Sequence, residues 1–396
     1  MKQIYLDNAA ATPIDPRVRR VIESCDKNIF GNASSLHEIG RKARGVVNSS
    51  KKIIAKVINS GSEEIVFTGS GTEANNLAVL GTARANKKYG RHIITTEIEH
   101  PSVLNSCRQL EKEGFKVDYI GVNKNGIIAP ESLKKLLRKD TILVSVMYAN
   151  NEMGTIQPIQ KVSKILHNFR KKLQTTSYKL QTSDKPPIFH SDAIQAVGYL
   201  DLDVQKLGVD LMSLNGSKVY GPKGIGCLFI RRGINIEPIM FGGSQERGLR
   251  PGTENTTLIS GFAKAIELVN KNKDRESERL VSLRDYAISK ILKETPDSHL
   301  NGDARERLPN NMNVSFDGAD GEALVLGLDQ KGICVSTGSA CTTTETGPSH
   351  VMKAIGNRKA DNLRITFGRF TTKKEVDYFL KILPEVVKRI VKIYKK

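Results

Sequence analysis

Lys218 stands between two apolar runs, Val209 to Leu214 before it and Gly226 to Ile230 after it, with Asn215-Gly216-Ser217 leading in and a Gly221-Pro222 turn leading out. Strand, polar turn, strand places its amine at a strand end, where open α/β sheets present chemistry. A lysine partly stripped of water there loses its proton more readily and condenses with an aldehyde as a Schiff base. The second reactive candidate is Cys341, inside the small, polar, glycine-containing run Ser336 to Ser349. An exposed loop thiol is reactive once deprotonated. Cys25, Cys107, Cys227 and Cys334 sit in helical or strand patterns and read as buried small hydrophobes. Either residue alone has a bland reading, a solvated lysine or an incidental thiol, so their company must decide.

That company is specific. Asp192 and Gln195 follow the strand-like Ile188-Phe189-His190-Ser191, and Asn151 follows the buried-type run Thr141 to Met147. His100 ends Ile93-Ile94-Thr95 and precedes Pro101, which suits a first helical position. Gly71-Thr72 lies between the strand Ile65 to Thr68 and a helix over Ala74 to Lys87, where converging backbone N–H groups favour phosphate. Pyridoxal phosphate needs such a set: a lysine for its aldehyde, an acid at its ring nitrogen, a flat partner for the ring, donors to its phenolate oxygen and an anion cradle. Lys218, Asp192, His100, Asn151 with Gln195, and Gly71-Thr72 supply them. The same stretch, Gly69-x-Gly71-x-x-Ala74 with Glu97 or Glu99 downstream, also fits a loose dinucleotide fingerprint, a weak signal alone. No Gly-Lys-Ser/Thr occurs, which excludes a Walker-type nucleotide loop.

Strand, turn and helix recur, which predicts a mainly parallel sheet flanked by helices whose successive strand ends meet at one edge. At 396 residues two domains are the default. The expected division is an N-terminal segment, 1–15, joining the small domain, a large cofactor-binding domain over 16–260, and a smaller α+β domain over 261–396 carrying the cysteine loop. Thr257 to about Glu294 reads as a long amphipathic, charged helical region linking into the second domain. Leu173 to Pro187 reads as an exposed excursion. Met240 to Thr257 is too glycine-rich for a regular element, so it reads as a functional or interfacial loop.

A net charge of +19 admits acidic partners. The lysines, however, are dispersed and not interleaved with base-stacking aromatics, which argues against direct nucleic-acid binding. No apolar run reaches the ~20 residues needed to cross a bilayer, and the N-terminus has no signal-peptide pattern, so a cytoplasmic protein off the membrane is expected. Five cysteines without CxxC spacing argue against both a disulfide framework and a metal site.

The motifs Tyr5-Leu6-Asp7-Asn8-Ala9-Ala10, Glu99-His100, Asn150-Asn151-Glu152, Asp192-Ala193-Ile194-Gln195, Lys218-Val219-Tyr220-Gly221-Pro222-Lys223-Gly224, Glu246-Arg247-Gly248, Gly338-Ser339-Ala340-Cys341 and Arg364-Ile365-Thr366-Phe367-Gly368-Arg369-Phe370 resemble, in order and from end to end, those of the NifS/IscS cysteine desulfurases. The resemblance implies a fold type I pyridoxal phosphate enzyme, homodimeric, converting L-cysteine to L-alanine and a persulfide on Cys341. It further implies a sulfur-acceptor protein, either an iron-sulfur scaffold or a tRNA-thiolation protein. Lys218 would bind the cofactor and take the α-proton, Arg364 would clamp the substrate carboxylate with help from Asn32, and Thr253 would reach the neighbouring subunit's cofactor phosphate. The long segment after Cys341 resembles the group I enzymes.

Ser217 stands where many relatives carry histidine and Asn215 where serine is frequent, so the phosphate and proton-shuttling contacts on that side are expected to differ; in the Asn32 loop Ala33 replaces a common proline. A lyase or aminotransferase on another amino acid, selenocysteine included, is the alternative from the same fold.

Overall fold

The computed structural model describes residues 3–176, 187–338, 347–359 and 361–394. Twelve strands are present in these residues: β1 (Ile4–Tyr5), β2 (Ile65–Thr68), β3 (His92–Thr96), β4 (Lys116–Ile120), β5 (Thr141–Ser145), β6 (Ile188–Asp192), β7 (Leu211–Asn215), β8 (Gly226–Ile230), β9 (Ser298–Leu300), β10 (Asn311–Phe316), β11 (Ile333–Cys334) and β12 (Asn362–Thr366). Seven form one sheet in the order β2-β8-β7-β6-β5-β3-β4. β8 runs antiparallel to both of its neighbours, and the other pairings are parallel. The C-terminal ends of β2, β3, β5, β6 and β7 therefore share one edge, and the chain delivers Asp192 at the end of β6 and Gly71, His100, Asn151 and Lys218 beyond the others.

Every residue of β2, β3, β5, β6 and β8 is buried, as expected for strands covered by helices on both faces. Phe67, Val144, Phe189, Met212 and Phe229 form one apolar layer with the helices Glu38–Ile58 and Thr256–Lys271. Val66, Leu77, Ile93, Leu143 and Leu211 form the other. The helix Glu38–Ile58 ends cleanly because Asn59 takes the left-handed conformation, φ 56°, that caps a C-terminus.

A second core gathers Leu280, Phe316, Leu324, Phe367 and Phe379 around the antiparallel sheet β12-β10-β9. Leu6 joins it because β1 pairs parallel with β11 and Asp7 bridges to Thr366. The charged helical region consists of two helices, Thr256–Lys271 and Lys273–Glu294, interrupted at Asn272. The segment Leu173 to Pro187 lies largely outside the described residues. β4 gives no clear apolar run in the sequence, since it is an edge strand with mixed exposure. Cys25, Cys107 and Cys227 are buried as expected, whereas Cys334 is partly exposed.

Candidate active site

A cavity opens at the shared strand edge, lined among others by Lys218, Asp192, His100, Asn151, Gln195 and Arg364. Lys218 lies on a single 3-10 turn after β7, and its Nζ donates to the Ala10 carbonyl. Two residues on, Tyr220 holds φ 61°, a conformation costly for an aromatic side chain. It is pinned on three sides. Its N–H donates to Thr12 Oγ1 at 2.7 Å, its hydroxyl accepts from the Arg369 N–H at 2.7 Å, and the Arg369 guanidinium lies 4.6 Å from its ring centroid. The turn that aims the lysine is thus held by groups remote in sequence.

Asp192 ends β6 with a 4% exposed side chain. Its carboxylate accepts from the Ile194 N–H at 2.9 Å and from Asn75 Nδ2 at 2.7 Å. Burial pushes this carboxyl upward from the ordinary range, opposed by His100, these two donors and Lys218. A cationic ring nitrogen suits such an anion. His100 is the N-cap of the helix Pro101–Lys112, its Nδ1 accepting from the Ser102 N–H at 3.1 Å. Desolvation lowers its proton affinity, so the imidazole is neutral and can lie against a heteroaromatic ring.

Arg364, from β12, is 2% exposed. Nη2 donates to Asp7 Oδ1 at 2.9 Å and Nη1 to the Asn151 carbonyl at 3.1 Å. Nε has no partner among the described residues. A buried guanidinium held at two corners with an unsatisfied N–H is prepared for an anionic ligand.

At the opposite end, Gly71 begins the helix Gly71–Asn76 one residue after its cap, Ser70. A Cβ on Gly71 would stand 2.2 Å from Ile194 Cδ1, so a larger residue here would push that side chain aside. Thr72 and Asn215 line the cavity. Asn215 turns its side chain onto Ser217, Nδ2 to Oγ at 3.1 Å. Gln195 Nε2 donates to the Ala9 carbonyl at 3.1 Å, so the N-terminal segment roofs the site through both Gln195 and Lys218.

Asn32 and Thr253 are not brought to this cavity within one chain. Both are exposed, and Asn32 uses its Oδ1 to accept from the Ser34 N–H at 2.8 Å. Cys341 lies outside the described residues. Sequence reasoning passed over Asn75 and Ser102, although two consecutive asparagines, Asn75-Asn76, inside an apolar helix were a signal, since asparagine is a poor interior helix former.

The donor set fits pyridoxal phosphate: an amine for the aldehyde, a buried carboxylate for the ring nitrogen, an imidazole for the ring face and a helix start at Gly71 for the phosphate. Among the described residues no cluster of three or more histidine, cysteine or acidic side chains could hold a metal, and no helix is long and apolar enough to cross a membrane.

The family described as Aminotransferase class-V matches residues 4–379. A curated relative from Dictyoglomus turgidum, named cysteine desulfurase IscS, is 45% identical over 98% of this chain and 95% of its own length. Among solved structures, one titled NifS-like protein superposes with a TM-score of 0.88 at 36% identity, covering 98% of this chain and 100% of the other. Another, titled SspA in complex with cysteine, gives a TM-score of 0.78 at 33% identity over 93% and 99% of the two chains.

Proposed function

The chain belongs to the class-V aminotransferase family, and from that premise we propose that it is a pyridoxal phosphate-dependent cysteine desulfurase acting on L-cysteine. The observation that carries the reading is the meeting of Lys218, Asp192, His100 and an incompletely satisfied Arg364 around one cavity. When bound, pyridoxal phosphate supplies an electron sink for a carbanion at the substrate α-carbon. Lys218 anchors it and exchanges the α-proton, Asp192 keeps the ring nitrogen charged, and Arg364 orients the substrate carboxylate. Asn151 and Gln195 would donate to the cofactor's phenolate oxygen, and Thr72, Asn215 and Ser217 would hold its phosphate.

Cys341 as thiolate attacks the substrate sulfur. The S–S bond of a persulfide forms as the C–S bond of cysteine breaks, and the carbon left behind gains a proton to become alanine. Sulfur passes from one cysteine to another, so no external oxidant or reductant is consumed. An acceptor protein then takes the outer sulfur.

The division at 1–15, 16–260 and 261–396 belongs to the same reading, as does a homodimer in which Thr253 and Asn32 serve the partner's site. Phe30, Leu36 and Phe241 support the dimer, being 77%, 82% and 85% exposed on loops of this chain. The test is incubation with L-cysteine, quantifying alanine and locating the persulfide by mass spectrometry. Consumption of L-cysteine with neither a persulfide on Cys341 nor matching alanine would favour a lyase or aminotransferase in its place.

A further inference from the structure

Asn75, Ser102 and His100 form a directed hydrogen-bond chain that starts at Asp192. Asn75 Nδ2 carries two hydrogens and donates to Asp192 Oδ2 at 2.7 Å and to Ser102 Oγ at 2.9 Å. Ser102 Oγ, already accepting, has its own hydrogen to give, and it lies 2.8 Å from His100 Nδ1. The Ser102 N–H points at the same nitrogen from 3.1 Å. Asn75 is fully buried and Ser102 is 7% exposed, so water competes poorly for either. A carboxylate accepts only, which fixes the direction at one end; a backbone N–H donates only, which fixes it at the other.

We propose that Ser102 and Asn75 are positioning residues that lock His100 as the neutral tautomer with its proton on Nε2. Two donors converge on Nδ1, so that nitrogen must keep its lone pair, and Nε2–H is left for the cavity. A neutral imidazole protonated at Nε2 can donate a hydrogen bond there but cannot accept a proton at that atom. His100 therefore orients and polarises what it touches, while transfer of the α-proton falls to Lys218. The groups that face the imidazole electrostatically are Asp192 at the end of β6, Lys218 after β7 and His350 on the helix His350–Ala354, alongside Ser102 on its own helix and Asn75 on the facing one. Burial opposes a second proton on the ring, Asp192 favours one, and Lys218 opposes it.

The inference rests on the proposed cofactor site only for its consequence in the reaction, because the tautomer is a property of the protein alone. The test is nitrogen NMR of ¹⁵N-histidine-labelled full-length protein, both as purified and after cofactor removal, with His100→Gln to assign the signals. The expected result is an unprotonated Nδ1 and a protonated Nε2 in both forms. Ser102→Ala keeps the backbone cap but removes the hydroxyl donor to the neutral ring, so the His100 titration should move upward by about one pH unit, tenfold in proton affinity. Ser102→Thr should restore it. A proton on Nδ1 in the unsubstituted protein overturns the proposal, and so does a Ser102→Ala titration that superimposes on the parent. The tautomer measurement decides even if Ser102→Ala fails to fold, and neither reading depends on turnover of cysteine.

Discussion

Asp7 and Arg364, separated by 357 positions in sequence, meet at 2.9 Å inside the protein. The aspartate fixes one corner of the guanidinium and the Asn151 carbonyl fixes another, so the fork is aimed before any substrate arrives. Preorganisation of this kind moves the ordering cost of an arginine side chain from binding to folding.

Replacing Arg364 with lysine keeps the charge and loses the planar fork. Charge-assisted hydrogen bonds contribute about 1.5–3 kcal/mol, so kcat/KM for L-cysteine should fall roughly 10- to 100-fold, chiefly through KM. Steady-state alanine formation measures this. Unchanged KM would place the substrate carboxylate elsewhere.

Lys218→Ala should abolish activity, and it should also abolish the covalent mark. Borohydride reduction of the purified protein followed by peptide mass spectrometry should find the cofactor adduct on Lys218 and nowhere in the variant. An adduct at another lysine would contradict the assignment.

Cys341→Ala separates sulfur transfer from cofactor chemistry. The variant should keep its visible cofactor absorption and still bind L-cysteine, but form no enzyme persulfide. Alanine production should drop by several orders of magnitude. Near-normal turnover would mean that the thiol is a bystander.

Glu99 gives stability an unusual pH dependence. It is fully buried, accepts from the Met147 N–H and from Thr96 Oγ1, both at 2.8 Å through Oε1, and has no partner among the described residues for Oε2. Burial pushes its carboxyl up to about 8. A folded-state value above the unfolded one means the native protein holds the proton longer, so this contribution is full below the unfolded value and declines as pH rises toward about 8. Urea unfolding from pH 5 to pH 8 should lose on the order of a few kcal/mol relative to Glu99→Gln, whose curve lacks that slope. Parallel curves for the two proteins would show that Glu99 is ionised throughout.

Phe241→Asp should weaken self-association. A charge on a side chain that is 85% exposed costs the isolated chain little, yet it would be buried unpaired in the proposed subunit interface. Sedimentation velocity should show a shift from dimer to monomer with the fold intact by circular dichroism.

Much of the site was legible because strand ends announce themselves: an apolar run followed by a polar turn located His100, Asn151, Asp192 and Lys218 at one sheet edge. The antiparallel β8 and the exposed edge β4 were harder to place, since neither orientation nor edge position leaves a mark in local periodicity. Asn75 and Ser102 escaped for a different reason. Their roles are set by partners 117 and 2 positions away, Asp192 and His100, and only the packing of two helix starts against β6 brings the four together. Asn32 and Thr253 gained their expected roles from resemblance alone, and one chain in isolation leaves both at the surface.

The parallel pairing of Ile4–Tyr5 with Ile333–Cys334 has a temporal consequence. The ribosome releases the first strand long before its partner exists, and Asp7 must wait for Arg364 until nearly the whole polypeptide has emerged. A nascent chain halted before that point lacks both the arginine fork and Arg369, which pins the turn that aims Lys218, so cofactor retention and substrate recognition should both wait for the end of synthesis.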